Sequence, residues 1–112
     1  MSSENIATFF SNLDDRSITV CEGCTESGVL SQRKPSDLGY CFFRQHEGVY
    51  AAETGMLYLT WGAYTADEMV MLIVVEAIKD EARACSLDVS WKGSVTDRVI
   101  LKNLDKKYFQ KF

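Results

Sequence analysis

Cys21-Glu22-Gly23-Cys24 is the stretch of this chain whose residue types and spacing point most directly to chemistry. Two thiols three residues apart, with a glycine to help the chain bend between them, can share a metal ion or bond to each other. In the metal reading the pair supplies two of four zinc ligands from one knuckle. Cys41 and His46 then complete a C-x2-C-x16-C-x4-H set, a spacing loosely that of a zinc ribbon. Two features weigh against it. On a regular strand Cys41 and His46 face opposite sides. Cys41 also lies in a run of aromatics, where a buried thiol is ordinary. In the redox reading the pair is a dithiol, which a thioredoxin-like site would place at a helix N-terminus. Thr25-Glu26-Ser27-Gly28 is a poor helix start, so this reading is expected to be the weaker of the two. The plainest reading is two ordinary cysteines near a strand end.

Other chemistries find less. The chain has no Walker A loop, no G-x-G-x-x-G, no H-E-x-x-H and no Ser-His-Asp order. Asp14-Asp15 reads as helix-stop chemistry and Asp67-Glu68 as helix capping, so neither is a general acid–base pair. His46 is the single histidine, and a lone histidine is usually a surface residue.

The elements that must position these residues fit one domain over 1–112. Hydrophobic residues are 46% and charged residues 25%, which excludes a disordered chain. Twelve Lys and Arg against sixteen Asp and Glu give −4, which excludes sequence-independent nucleic-acid binding. No apolar run is long enough to span a bilayer. Met1-Ser2-Ser3-Glu4-Asn5 does not resemble a signal peptide, so a cytoplasmic protein with reduced thiols is expected.

Ile6, Phe9, Phe10 and Leu13 repeat at helical spacing and predict a first helix over 3–13, capped by Ser2 or Ser3. Residues 17–20 predict a strand running into Cys21. Residues 22–38 read as the longest irregular stretch. Residues 39–45 predict a second strand, with Tyr40, Phe42 and Arg44 on one face and Cys41 and Phe43 on the other. A short helix over 47–54 ends at Gly55, and residues 56–64 form a strong strand. Thr65-Ala66-Asp67-Glu68 fits a capping box that opens a long helix. Its residues 69–75 are apolar on every side, which predicts burial, with the first helix or a second subunit as cover. Residues 88–91 and 98–101 predict a hairpin. Residues 98–112 hold five cations and one anion, or +4, which leaves −8 in residues 1–97. This basic, aromatic tail can dock on an acidic partner, dock on the protein's own body, or stay solvated. The fold class expected is α+β: an approximately five-stranded mixed or antiparallel sheet packed by one long buried helix and a shorter N-terminal helix.

Three stretches in order carry a resemblance: Cys21-Glu22-Gly23-Cys24, then Gly39-Tyr40-Cys41-Phe42-Phe43-Arg44-Gln45, then Glu53-Thr54-Gly55-Met56-Leu57-Tyr58-Leu59-Thr60-Trp61-Gly62. Together they resemble a family of small uncharacterised bacterial domains of unknown function. The likeness spans roughly residues 18–101, with Val89-Ser90-Trp91 matching the family's hairpin strand. It implies a fold and no activity. Relatives often carry a histidine where this chain has Thr25, and another where it has Arg44. If those histidines complete a metal site in relatives, this chain departs from it.

For function, the first expectation is a non-enzymatic partner-binding protein of the immunity or inhibitor type. Its acidic surface would steer a cationic protein partner, with Tyr50, Tyr58, Trp61 and Tyr64 as anchors. The alternative is a small zinc-binding or dithiol module built on Cys21 and Cys24, with either no cofactor or one structural zinc. A third reading is a small enzyme of unnamed substrate using the 22–38 loop. No membrane contact is expected, and a homodimer is one way to cover the apolar helix.

Overall fold

A computed structural model describes residues 3–112 of the chain, with the side chain of Ser3 left aside. The elements are α1 (Ser3–Asp15), β1 (Ile18–Glu22), α2 (Glu26–Ser31), β2 (Gly39–Phe43), α3 (Gln45–Thr54), β3 (Leu57–Ala63), α4 (Glu68–Ala84), β4 (Asp88–Ser90) and β5 (Val99–Lys102), followed by a short 3-10 turn, Lys106–Phe109. The strands form one sheet in the order β1-β2-β3-β5-β4. β1 runs parallel to β2 and the remaining neighbours are antiparallel, so the sheet is mixed. The fold is the α+β arrangement that the apolar patterning predicts. The cap expected at Ser2 lies outside the described residues, and Ser3 opens α1.

Alternation gives the sheet two unlike faces. Ile18, Cys41, Phe43, Leu57, Leu59, Trp61, Val99 and Leu101 point to one side and join the buried cluster. There they meet Ile6, Phe9, Phe10 and Leu13 of α1 and Val74, Val75, Ile78 and Ala82 of α4. Arg16 and Asn12 tie α1 to α4 by bonding Glu81, at 3.2 and 3.1 Å. The other face carries Thr19, Cys21, Tyr40, Phe42, Tyr58, Thr60 and Ile100. α2 lies on it over the β1 end, burying Val29, and Tyr50 of α3 meets Tyr58.

Four expectations need correction. The 22–38 stretch is not all irregular: α2 forms there because Thr25 caps it, accepting from the Gly28 N–H at 3.1 Å, and because burial of Val29 offsets weak helix formers. The long helix starts later than a Thr65 cap implies. Asp67 is its N-cap, accepting from Met69 N–H at 2.9 Å, while Thr65 accepts from Asp67 N–H inside the preceding turn. A carboxylate at that position also suits the helix dipole. The first half of α4 is not buried all round. Met69 and Ile73 are 66% and 54% exposed, because only one side of the helix meets the sheet and α1.

The tail, fourth, is not a solvated terminus but docks on the protein's own body. Gly55 ends α3 in the left-handed conformation (φ 74°) and its carbonyl accepts from Leu104 N–H at 2.9 Å, which brings the chain back against α3. Leu104 and Phe109 are then buried in the core.

Candidate functional site

β1 is an edge strand, and its alternation puts Cys21 beside Thr19 on the face away from α1 and α4. The register places Cys21 opposite Phe42. Glu22 ends the strand. Gly23 follows at φ 70°, a conformation glycine adopts without a Cβ penalty. Cys24 then donates its N–H to Phe43 O at 3.0 Å, and Thr25 starts α2. The turn brings Cys21 and Cys24 together as a disulfide, not as the reduced thiols expected, with Cα atoms 5.9 Å apart and both residues half-buried.

The polar groups around this turn are paired. Arg44 reaches Glu26 at 2.6 Å and Thr60 at 3.5 Å, and lies over the Phe42 ring. Glu47, almost wholly buried, accepts the Arg44 N–H at 2.8 Å and pairs with Arg98. Tyr108 donates its hydroxyl to Glu22 at 2.6 Å. Beside α2, a recess of about 210 Å³ is lined by Glu26, Val29, Leu30, Tyr40, Phe42 and Thr60.

The four expected zinc ligands are not gathered. Cys41 pairs in register with Val20 and Trp61 and points into the core, on the face opposite Cys21. Burial pushes its thiol pKa far up, which keeps it protonated. His46 is exposed in the first turn of α3, at a shallow recess shared with Glu47, Tyr50, Tyr58 and Arg98. Among the described residues no three His, Cys, Asp or Glu side chains are grouped to hold a metal ion. Thr25 and Arg44, the positions where the resemblance implies histidines in relatives, here cap α2 and pair with Glu26.

The expected anchors divide. Tyr50 and Tyr58 stack edge-to-face, with ring centres 6.1 Å apart. Tyr64 packs on Tyr40, lies under Arg33 and donates to Thr19, which in turn donates to the buried Asp37. Trp61 is 7% exposed and belongs to the core face, where its indole N–H bonds the Asp97 carbonyl at 2.8 Å.

Arg44 could be read from the sequence only as a strand-face residue and as the place of a relative's histidine, and the pairings of Glu26, Glu47, Arg98 and Tyr108 could not be read from it. Only Glu47 carried a local signal, an acidic residue in the first turn of a predicted helix.

Burial, with the Glu22 carboxylate alongside, pushes the Tyr108 pKa well above its ordinary value of about 10. The neutral phenol is therefore favoured in the folded state. Its contribution to stability is complete below about pH 10 and is lost as pH rises through the raised value. In an absorbance titration Tyr108 ionises later than a free tyrosine, and Tyr108→Phe removes that late step. Loss of an ordinary step instead, near pH ~10, contradicts the Tyr108–Glu22 bond.

The class so defined is an α+β domain carrying a disulfide-closed Cys-x-x-Cys where an edge strand turns into a short helix. The chain belongs to the family described as Domain of unknown function (DUF6891), whose model matches residues 3–107. No curated protein and no solved structure matches it. Among the described residues no helix is long and apolar enough to cross a membrane.

Proposed function

We propose that this protein is a thiol–disulfide module. Cys21 and Cys24 pass between a disulfide and two thiols by exchange with a dithiol. Two electrons and two protons move to the cysteine pair, and the reacting dithiol closes to its own disulfide. One observation carries the reading: the two half-buried sulfurs of one turn are bonded, while the core-facing Cys41 is kept out of reach. In a cytoplasmic protein a disulfide of this kind is usually transient and either catalytic or redox-sensing. A zinc module would need two further ligands brought to the turn.

Graded mixtures of reduced and oxidised dithiothreitol, quenched by alkylation and read by mass, test this. The expected result is one reversible two-electron transition confined to Cys21 and Cys24 and abolished by Cys21→Ser. Its slope should be about 30 mV per tenfold change in ratio. Absence of a reversible transition overturns the proposal.

A second reading, partner binding of the immunity or inhibitor type, draws on a different observation. Leu30 and Tyr50 are 54% and 45% exposed, near a sheet face that α2 covers only at one end. The −8 carried by residues 1–97 would attract a cationic protein. A one-to-one complex weakened by Tyr50→Ala supports that reading. A complex indifferent to this residue contradicts the role given to the face.

A further inference from the structure

The two residues between the paired cysteines, Glu22 and Gly23, are also the two that receive the end of the tail. Tyr108 bonds the Glu22 carboxylate. The Phe112 ring lies so close over Gly23 that a Cβ added there would sit 2.7 Å from its Cε1. The same ring crowds Gly48 of α3, where an added Cβ would be 2.7 Å from Cγ. It also meets Phe43 edge-on, with centres 5.1 Å apart. Phe112 is thus wedged between the cysteine turn and α3, held by two positions that have no side chain. Three residues back, Phe109 is fully buried.

We infer that residues 110–112 form a redox-sensitive strap, docked while Cys21 and Cys24 are bonded and released when they are reduced. The inference rests on the dithiol reading above. Bonded sulfurs lie about 2 Å apart. Two thiols must retreat to non-bonded contact, roughly 3.5–4 Å. A four-residue turn absorbs that separation in the Glu22–Gly23 backbone, the surface on which Phe112 rests. The ring packs on bare backbone there and at Gly48, so a shift of the turn removes one of its two supports and releases it. Phe109 stays in the core and acts as the hinge. Release uncovers the Phe43 edge and the aromatic ring of Phe112.

Linkage makes the coupling reciprocal. Whatever the disulfide adds to docking of the strap, the docked strap adds to the disulfide. Phe112→Ala therefore makes the disulfide easier to reduce.

Amide hydrogen exchange of the full chain, oxidised and reduced in turn, tests this. The expected result is a rise of about tenfold or more in exchange of the Gln110 and Phe112 amides on reduction, reversed on reoxidation. In the oxidised form these amides bond Lys107 O and Phe109 O. A second measurement needs no folded-state mapping: in dithiothreitol mixtures Phe112→Ala shifts the equilibrium severalfold toward the reduced form. A clean two-electron transition with identical tail exchange in both states overturns the strap alone. Absence of any reversible transition overturns the dithiol reading, and the strap with it.

Discussion

Phe109→Ala lowers the stability of the protein by about 3–5 kcal/mol. The residue lies in the short 3-10 turn that follows β5. Its ring is fully buried and packs edge-on against Phe43, with centres 6.0 Å apart, and beside Tyr108. Removing it deletes a large apolar group and leaves a cavity under α3 that the surrounding strands cannot collapse into. The neighbouring Lys107→Ala, on the exposed side of the same turn, should stay within about 0.5 kcal/mol of the parent. Urea unfolding of both variants checks the pair. A loss below about 1 kcal/mol for Phe109→Ala contradicts the docked tail.

Gly39→Ala produces the other large loss, about 3 kcal/mol or more, by overpacking rather than by a cavity. A Cβ at Gly39 would lie 2.3 Å from the Gly62 carbonyl oxygen and 2.7 Å from Val74 Cγ2. The first is backbone of β3, and the second belongs to the helix covering the sheet. Neither can yield without separating β2 from β3 or lifting α4. Gly93→Ala is the contrast. Its φ of 105° disfavours a side chain, but nothing lies within 4 Å of the added atom. Thermal or urea unfolding should rank Gly39→Ala as the more damaging. Equal losses contradict the close approach of β2, β3 and α4.

Much of the fold could be read in the sequence because its signals are local. The Ile6-Phe9-Phe10-Leu13 spacing marks α1, Gly55 marks the end of α3, and the alternation at Leu57, Leu59 and Trp61 marks β3. The same alternation separates Cys41 from Tyr40 and Phe42. Carried one strand back, through Thr19 and Cys21, it would have placed the two cysteines on opposite faces. What the sequence hid is long-range. α2 is stabilised by burial of Val29, not by its own helix propensity. The Tyr108–Glu22 bond joins residues 86 positions apart. The exposed stripe of α4 through Met69 and Ile73 follows from which side of the helix meets the sheet and α1, which an all-apolar run does not disclose.

The disulfide-closed turn also explains why a glycine sits at position 23. A left-handed backbone and a ring in van der Waals reach exclude a side chain there. Arg44 is the second constraint at the site. Its pairing with Glu26 places a fixed cation beside the cysteine turn, where a metal-binding version of this surface would need a neutral ligand.

Zinc content together with a thiol count, on protein purified in air without reductant or chelator, tests the central claim most directly. The dithiol account predicts no stoichiometric zinc. On unfolding it predicts two alkylatable cysteines, Cys41 and Cys85, with Cys21 and Cys24 joining them only after reduction. About one zinc per chain, with Cys21 and Cys24 shielded until the metal is stripped, would contradict the account and make the turn a metal knuckle.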